Sequence, residues 1–204
     1  KCVLVTGSSK GIGKSVAAQC AYAGAKVIIS SRKINACEET ANEINSNVGD
    51  EVAFTIQANI GDKTQLENLV NEAREKIGKI DVLVCNAATN PFLGSSLDIP
   101  EEAFDKIINN NIKSNHLLAN LVLPEMIKRK DGVIIIISSI SGFKGNEILG
   151  TYAMTKAADM ALARNLAVEF GKHNIRSNTI APGLIKTDMA KAIWDNPDTL
   201  KTFT

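Results

Sequence analysis

Tyr152 and Lys156 stand four residues apart, and Ser139 lies thirteen residues before the tyrosine. On one helix, residues at i and i+4 share a face, with Cβ atoms about 5–6 Å apart. A phenol ionises near pH ~10 and is a poor acid–base catalyst around neutrality. An ammonium beside it favours the phenolate and lowers that pKa, so the pair is expected to exchange a proton with an alcohol or a carbonyl. The other chemical signal is the turn Thr6-Gly7-Ser8-Ser9-Lys10-Gly11-Ile12-Gly13, which follows a strand-like start. Glycines there allow a tight turn and close approach of a pyrophosphate, and a following helix offers its N-terminus to phosphate. A hydride carrier at the turn and a proton at the tyrosine read as carbonyl reduction or alcohol oxidation.

These groups need a frame, and the hydropathy pattern supplies one. Strand-like runs at 2–6, 26–30, 51–57, 81–85, 133–138 and 175–180 alternate with helical stretches at 12–23, 36–45, 63–77, 101–130 and 152–172. Pro124 is expected to bend or interrupt the fourth helix. Strand–helix alternation of this kind predicts an α/β fold: a doubly wound parallel sheet with right-handed crossovers and helices on both faces. Ligands of such sheets sit beyond the carboxyl ends of the strands, and each motif above follows a predicted strand. The 204 residues are enough for one well-buried domain and short for two, so 1–204 reads as one dinucleotide-binding and catalytic unit, with 184–204 opening a substrate lid.

The spacing G-x-x-x-G-x-G is neither the common G-x-G-x-x-G nor a P-loop. Gly13-Lys14-Ser15 mimics a P-loop ending, but Gly7 lies six residues before Gly13 and the required four-residue gap is missing, which excludes an NTPase. The second strand runs into Ser30-Ser31-Arg32-Lys33, where an NAD-selective site would place an acid for the ribose hydroxyls. Here Arg32 can pair with a 2′-phosphate while Ser31 donates to it, and Lys10 adds a second cation. The cofactor expected is NADPH rather than NADH.

In this order and spacing the motifs resemble the short-chain dehydrogenase/reductase family, whose members carry a Rossmann fold, and the resemblance spans nearly the whole chain. The family's T-G-x-x-x-G-x-G is Thr6 to Gly13, its N-A-G appears as Asn86-Ala87-Ala88, and its Y-x-x-x-K is Tyr152 to Lys156. Its catalytic asparagine and serine look like Asn111 and Ser139, and its P-G turn is Pro182-Gly183, followed by Thr187. The resemblance implies that Ser139 and Tyr152 hold the carbonyl oxygen and Tyr152 donates the proton. It implies that Lys156 holds the ribose and tunes Tyr152, and that Asn111 anchors a water leading from Lys156 to solvent. Cofactor contacts are implied for Ser9, Lys10 and Ile12 beside Gly7, Gly11 and Gly13. They are implied also for Ser31, Arg32, Asn59, Ile60, Asn86, Ala87, Tyr152, Lys156, Pro182, Gly183, Ile185 and Thr187. Two residues depart from the pattern. Ala88 replaces a glycine, which is expected to alter the backbone path slightly, and Asn59 stands where an aspartate usually meets the adenine.

Within the family, the stretches from Asn86 to Phe92 and from Ala181 to Thr187 resemble the peroxisomal NADPH-dependent retinol dehydrogenase/carbonyl reductase group. That resemblance implies a homotetramer or homodimer in the peroxisome or cytoplasm. It places a seventh strand and a terminal peroxisomal address beyond Thr204, in a longer protein of which this chain is expected to be a piece.

Other classes find less support. The net charge of +1 advertises neither nucleic acid nor an anionic membrane, and the apolar run 133–137 is far too short for a membrane span. Cys2, Cys20, Cys37 and Cys85 form no C-x-x-C and lie apart from His116 and His173, so no metal site is expected and the thiols read as reduced. The 3-oxoacyl-carrier-protein reductases share the same catalytic residues. They need a basic patch beside the site, whereas Lys128, Arg129 and Lys130 precede the fifth strand and fall at the opposite end. A dinucleotide-binding regulatory protein would have no use for both Tyr152 and Lys156. Segments 89–99, 143–149 and 184–204 are expected to line the pocket. Phe92, Leu93, Phe143, Ile148, Leu149, Leu184 and Trp194 make it an apolar slot for a small carbonyl or alcohol substrate.

Overall fold

The computed structural model describes residues 1–195. Six strands form one sheet among these residues: β1 (Cys2–Thr6), β2 (Lys26–Ser31), β3 (Ala53–Gln57), β4 (Val82–Cys85), β5 (Gly132–Ile137) and β6 (Ile175–Ile180). They lie in the order β3-β2-β1-β4-β5-β6, and each neighbouring pair is parallel. The chain leaves the β3 edge and re-enters beside β1, so the order reverses between β1 and β4. A crevice opens there at the carboxyl edge, as such sheets require.

Side chains alternate across the strands and build two cores. On one face Leu4, Ile28, Leu83 and Ile134 pack against α3 (Lys63–Ile77), α5 (Ser114–Arg129) and α6 (Gly150–Phe170). On the other, Val3, Val5, Val27, Ile29 and Val84 pack against α1 (Gly11–Tyr22) and α2 (Ile34–Val48). Burial on both faces explains why β1, β2 and β5 read as unbroken aliphatic runs rather than alternating ones.

Several boundaries moved. The α2 helix runs three residues beyond the expected end, to a left-handed Gly49 (φ +81°) whose N–H caps Asn45 O. The stretch 101–130 is not broken at Pro124. It passes from α4 (Glu101–Ile108) through a π-helical turn at Asn109–Lys113 into α5, which continues to Arg129. Burial of Leu118, Val122, Leu123 and Met126 holds α5 together across the missing proline N–H. The wide turn begins instead on Asn109, Asn110 and Asn111, of which Asn109 Nδ2 donates to Gly61 O at 2.8 Å and Asn111 is fully buried. A short α7 (Lys191–Trp194) ends the described chain, so the part of the expected lid at 196–204 lies outside the described residues.

Candidate active site

The glycine turn is built mostly from backbone. Gly7 and Gly11 take left-handed φ of +63° and +57°, which only glycine adopts without cost. A Cβ on Gly13 would clash with Gly7 O and Asn86 Nδ2. Asn86 closes the turn, its Nδ2 donating to Thr6 O at 2.9 Å and Gly7 O at 3.0 Å. Thr6 Oγ1 accepts from the N–H groups of Asn86 and Ala87, both at 3.1 Å. Ser8, absent from the expected site, pins the turn to β2: its Oγ donates to Val5 O at 2.7 Å and accepts from Ser30 N at 2.9 Å. Only its place in a glycine-rich turn hinted at this.

Beyond the turn lies a cleft of about 420 Å³ lined by Gly11, Ile12, Pro182, Ile185 and Thr187, with Ser15, Val16 and Lys186 completing it. Tertiary structure thus joins the first and last predicted cofactor segments. Gly13 lets α1 pack tightly on the turn, so the uncapped N-terminus of α1 at Gly11 and Ile12 opens to this cleft, a cradle that fits a dinucleotide phosphate. Ser9 and Ile60 do not line this cleft: the Ser9 carbonyl accepts from Thr40 Oγ1 at 3.0 Å, and Ile60 packs against the core. Gly183 has negative or extended φ and its nearest foreign atom to an added Cβ is at 3.8 Å, so sterics do not demand glycine there.

At the end of β2, Ser31 Oγ accepts from Lys33 N at 3.2 Å and Arg32 is exposed. Among the described residues its guanidinium has no hydrogen-bond or ion-pair partner. Lys10 is different, since its Nζ pairs with Asp188 at 2.8 Å. Asn59 Oδ1 accepts from Gly61 N at 3.1 Å, which spends one of its two lone pairs on its own turn. Ala88 does not take a positive φ and therefore sits without strain.

The proton-transfer side is built from side chains. Ser139 ends the segment after β5, and its Oγ accepts from Ser141 N at 3.1 Å. Tyr152 lies in the first turn of α6, half-buried, with Lys156 Nζ 5.6 Å from its ring centroid. Gly142 lets the intervening turn touch α6, since a Cβ there would lie 2.8 Å from the Lys156 carbonyl carbon. Ser138 Oγ locks the contact by donating to Lys156 O at 2.7 Å. A space of about 10 Å³ beside Tyr152, the size of one water, is lined by Phe92, Ile99, Ile148 and Leu149 together with the polar Asn90, Ser96 and Thr151. Phe143 is instead 75 % exposed, and Trp194 turns to the other cleft, donating from Nε1 to Thr187 O at 3.0 Å under Lys186.

Asn111 is fully buried, but its amide holds protein rather than reaching towards Lys156. Oδ1 accepts from Thr89 N at 2.8 Å, and Nδ2 donates to Thr89 O at 3.0 Å and Thr155 Oγ1 at 3.2 Å. The link from Asn111 to Lys156 runs through two residues that the sequence reading missed. Asn115 Nδ2 donates both to Asn111 O at 2.8 Å and to Asp159 Oδ1 at 2.9 Å, and Lys156 Nζ donates to Asp159 Oδ2 at 2.9 Å. A signal existed in their spacing: Asn115 is one turn after Asn111, and Asp159 is an acid in the middle of an Ala-rich helix, two turns after Tyr152.

The electrostatics reverse the expected sign at Tyr152. Burial, then the charge of Asp159, push its phenol up to about 12, while the nearby Ser139 hydroxyl pulls the other way. The expectation of a lowered value counted Lys156 as a free ammonium, but it is paired. Burial also raises the Asp159 carboxyl, with Lys156 and Asn115 holding it partly down.

A doubly wound sheet with a phosphate-fitting glycine cradle facing a Ser–Tyr–Lys cluster defines a nicotinamide-dinucleotide oxidoreductase. The chain belongs to the short chain dehydrogenase family, whose sequence pattern matches residues 1–198. It is 40% identical over 198 residues to bovine (Bos taurus) dehydrogenase/reductase SDR family member 4, covering 97% of this chain and 70% of that protein. It is 39% identical over 201 residues to human (Homo sapiens) dehydrogenase/reductase SDR family member 2, mitochondrial, covering 98% and 70%. Among solved structures it resembles a 7α-hydroxysteroid dehydrogenase complexed with NADH and 7-oxo glycochenodeoxycholic acid. That match has TM-score 0.90 and 37% identity, covering 97% of this chain and 76% of that one. Among the described residues, no helix is long and apolar enough to cross a membrane.

Proposed function

We propose that the protein is an NADPH-dependent carbonyl reductase that converts small apolar ketones or aldehydes, retinal or aromatic diketones among them, to alcohols. The observation that carries this reading is the meeting of Ser139, Tyr152 and the buried Lys156 at the sheet edge that also holds the glycine cradle. Bound reduced nicotinamide would supply a hydride to the carbonyl carbon. Ser139 and Tyr152 donate hydrogen bonds to the carbonyl oxygen, polarising it and fixing its position. Tyr152 then gives its proton to the developing alkoxide, and the phenolate left behind regains one from water. Lys156, paired with Asp159 and 5.6 Å from the Tyr152 ring, would hold the ribose of the bound dinucleotide. Asn111 supports this arrangement from behind, by fastening Thr89 of the pocket loop to Thr155 of α6.

Arg32, cationic and exposed at the end of β2 with Ser31 beside it, supports NADPH over NADH, because no acid stands there to repel a 2′-phosphate. Lys128, Arg129 and Lys130 lie at the amino end of β5, opposite the carboxyl edge that carries the site, which disfavours them as a docking patch for an acidic carrier protein. Exposed Met154 and Val168 on α6 support a homodimer or homotetramer. A peroxisomal or cytoplasmic location rests on the resemblance alone.

NADPH oxidation by the full-length protein tests the reading with an aromatic diketone, all-trans-retinal and an acetoacetyl thioester, with NADH in parallel. Fast NADPH-dependent turnover of the diketone or retinal is expected. Preference for the thioester, or equal kcat/KM for the two cofactors, overturns the corresponding half.

A further inference from the structure

Burying an acid two helical turns from a proton donor is costly, and this chain does so at Asp159, which is 1% exposed. Its carboxylate is gripped from two helices, by Lys156 Nζ on α6 and Asn115 Nδ2 on α5, each at 2.9 Å. Lys156, itself 2% exposed, has as its other fixed acceptor Ile137 O at 2.8 Å. Its ammonium is therefore held by one charged and one neutral oxygen at the end of β5. The titratable and charged groups facing Asp159 are Tyr152 and Lys156 from α6 and the buried thiol of Cys85 from β4. Helix α5 contributes only the neutral Asn115. Burial pushes the Cys85 thiol well up, and Asp159 adds to this, so Cys85 stays uncharged and leaves the balance to the other three.

A lone ammonium beside a phenol favours phenolate, whereas an ammonium bonded to a carboxylate presents little net charge to it. We propose that Asp159 is a positioning residue that neutralises Lys156, keeps Tyr152 in its phenol form through the physiological range, and so sets this site for proton donation. The inference rests on the functional reading above for the direction of catalysis, carbonyl reduction, but not for the electrostatics. The reaction equilibrium is untouched; what moves is the pH window in which each direction runs.

Ultraviolet titration of phenolate in the full-length protein reads this without turnover. The chain has two tyrosines, and Tyr22 is 50% exposed, so a Tyr152→Phe control assigns the buried component. Asp159→Asn keeps the shape and an acceptor for Lys156 but removes the charge. It should bring Tyr152 phenolate on at lower pH by at least about one unit, a tenfold gain at a given pH. Asp159→Glu should restore the wild-type titration, and the pH profile of kcat/KM for alcohol oxidation should move with the titration. If Asp159→Asn does not fold, Lys156→Met with Asp159→Leu removes both buried charges together and avoids an orphaned one. The proposal expects Tyr152 to titrate in that double variant nearly as in wild type. A Tyr152 titration unmoved in Asp159→Asn, or moved upward in the double variant, overturns it. A shifted titration in a protein that reduces no carbonyl would fault the functional reading and leave the Asp159 role standing.

Discussion

The glycine turn and the Tyr152 cluster face each other across one sheet edge, yet they are made of different materials. The turn is a backbone device. Its shape depends on two left-handed glycines, on a third with no room for a Cβ, and on Asn86 bonding main-chain carbonyls. The cluster is a side-chain device, in which Lys156, Asp159 and Asn115 are buried and each polar atom is positioned by another. A backbone site fails by steric insertion and otherwise tolerates change. A buried charged cluster fails, or changes its pH behaviour, whenever one partner is lost.

The deepest break should come on the side-chain half. Tyr152→Phe is expected to lower kcat by about 10²–10⁴ while leaving calorimetric NADPH affinity nearly intact, because the turn does not use the phenol. Near-wild-type turnover would remove Tyr152 from its proposed role. The matching break in the backbone half is Gly13→Val, whose side chain would meet Gly7 O and Asn86 Nδ2. Dinucleotide affinity should fall roughly 10²-fold, and thermal unfolding should register a loss of about 1–3 kcal/mol from overpacking. Retained affinity with a normal melting temperature would show that the turn can give way.

A finer contrast is Arg32→Glu. Losing a charge-assisted contact worth about 1.5–3 kcal/mol should cut kcat/KM for NADPH roughly 10–100-fold and spare NADH, as parallel initial rates would show. The pH dependence sharpens the other half. Because Tyr152 is pushed up to about 12, its donor form predominates below that value. Reduction measured as kcat/KM should therefore show no alkaline limb from Tyr152 across the neutral and mildly basic range. Alcohol oxidation, which needs the phenolate, should climb about tenfold per pH unit. A reduction rate that collapses between neutrality and pH ~9 would contradict this. The smallest effect is expected for Lys10→Ala. Its ion pair with Asp188 is exposed on both sides, 68% and 72%, so solvent screens it and little is lost with it. NADPH affinity should change less than about fivefold.

The two halves also differed in how well they could be read. The strand–helix alternation, the glycine turn and the Tyr–x–x–x–Lys spacing are local patterns, and the observed β1, α3 and β6 match their expected ranges residue for residue. Where a boundary moved, a tertiary contact moved it: buried side chains carried α5 past Pro124, and the π-helical turn settled on the three asparagines upstream. Asn115 and Asp159 were overlooked because neither belongs to a local motif. Their meaning arises only when α5 and α6 cross, forty-four residues apart in the chain.

By itself the amino-acid sequence determined which chemical groups are present and on which elements they ride, because propensity, hydropathy period and glycine's conformational freedom act over a few residues. Only the tertiary structure decided what those groups experience. Desolvation and through-space charge depend on which elements pack together, so the sign of the shift at Tyr152 was settled first by its burial and then by Asp159, enclosed between α5 and α6.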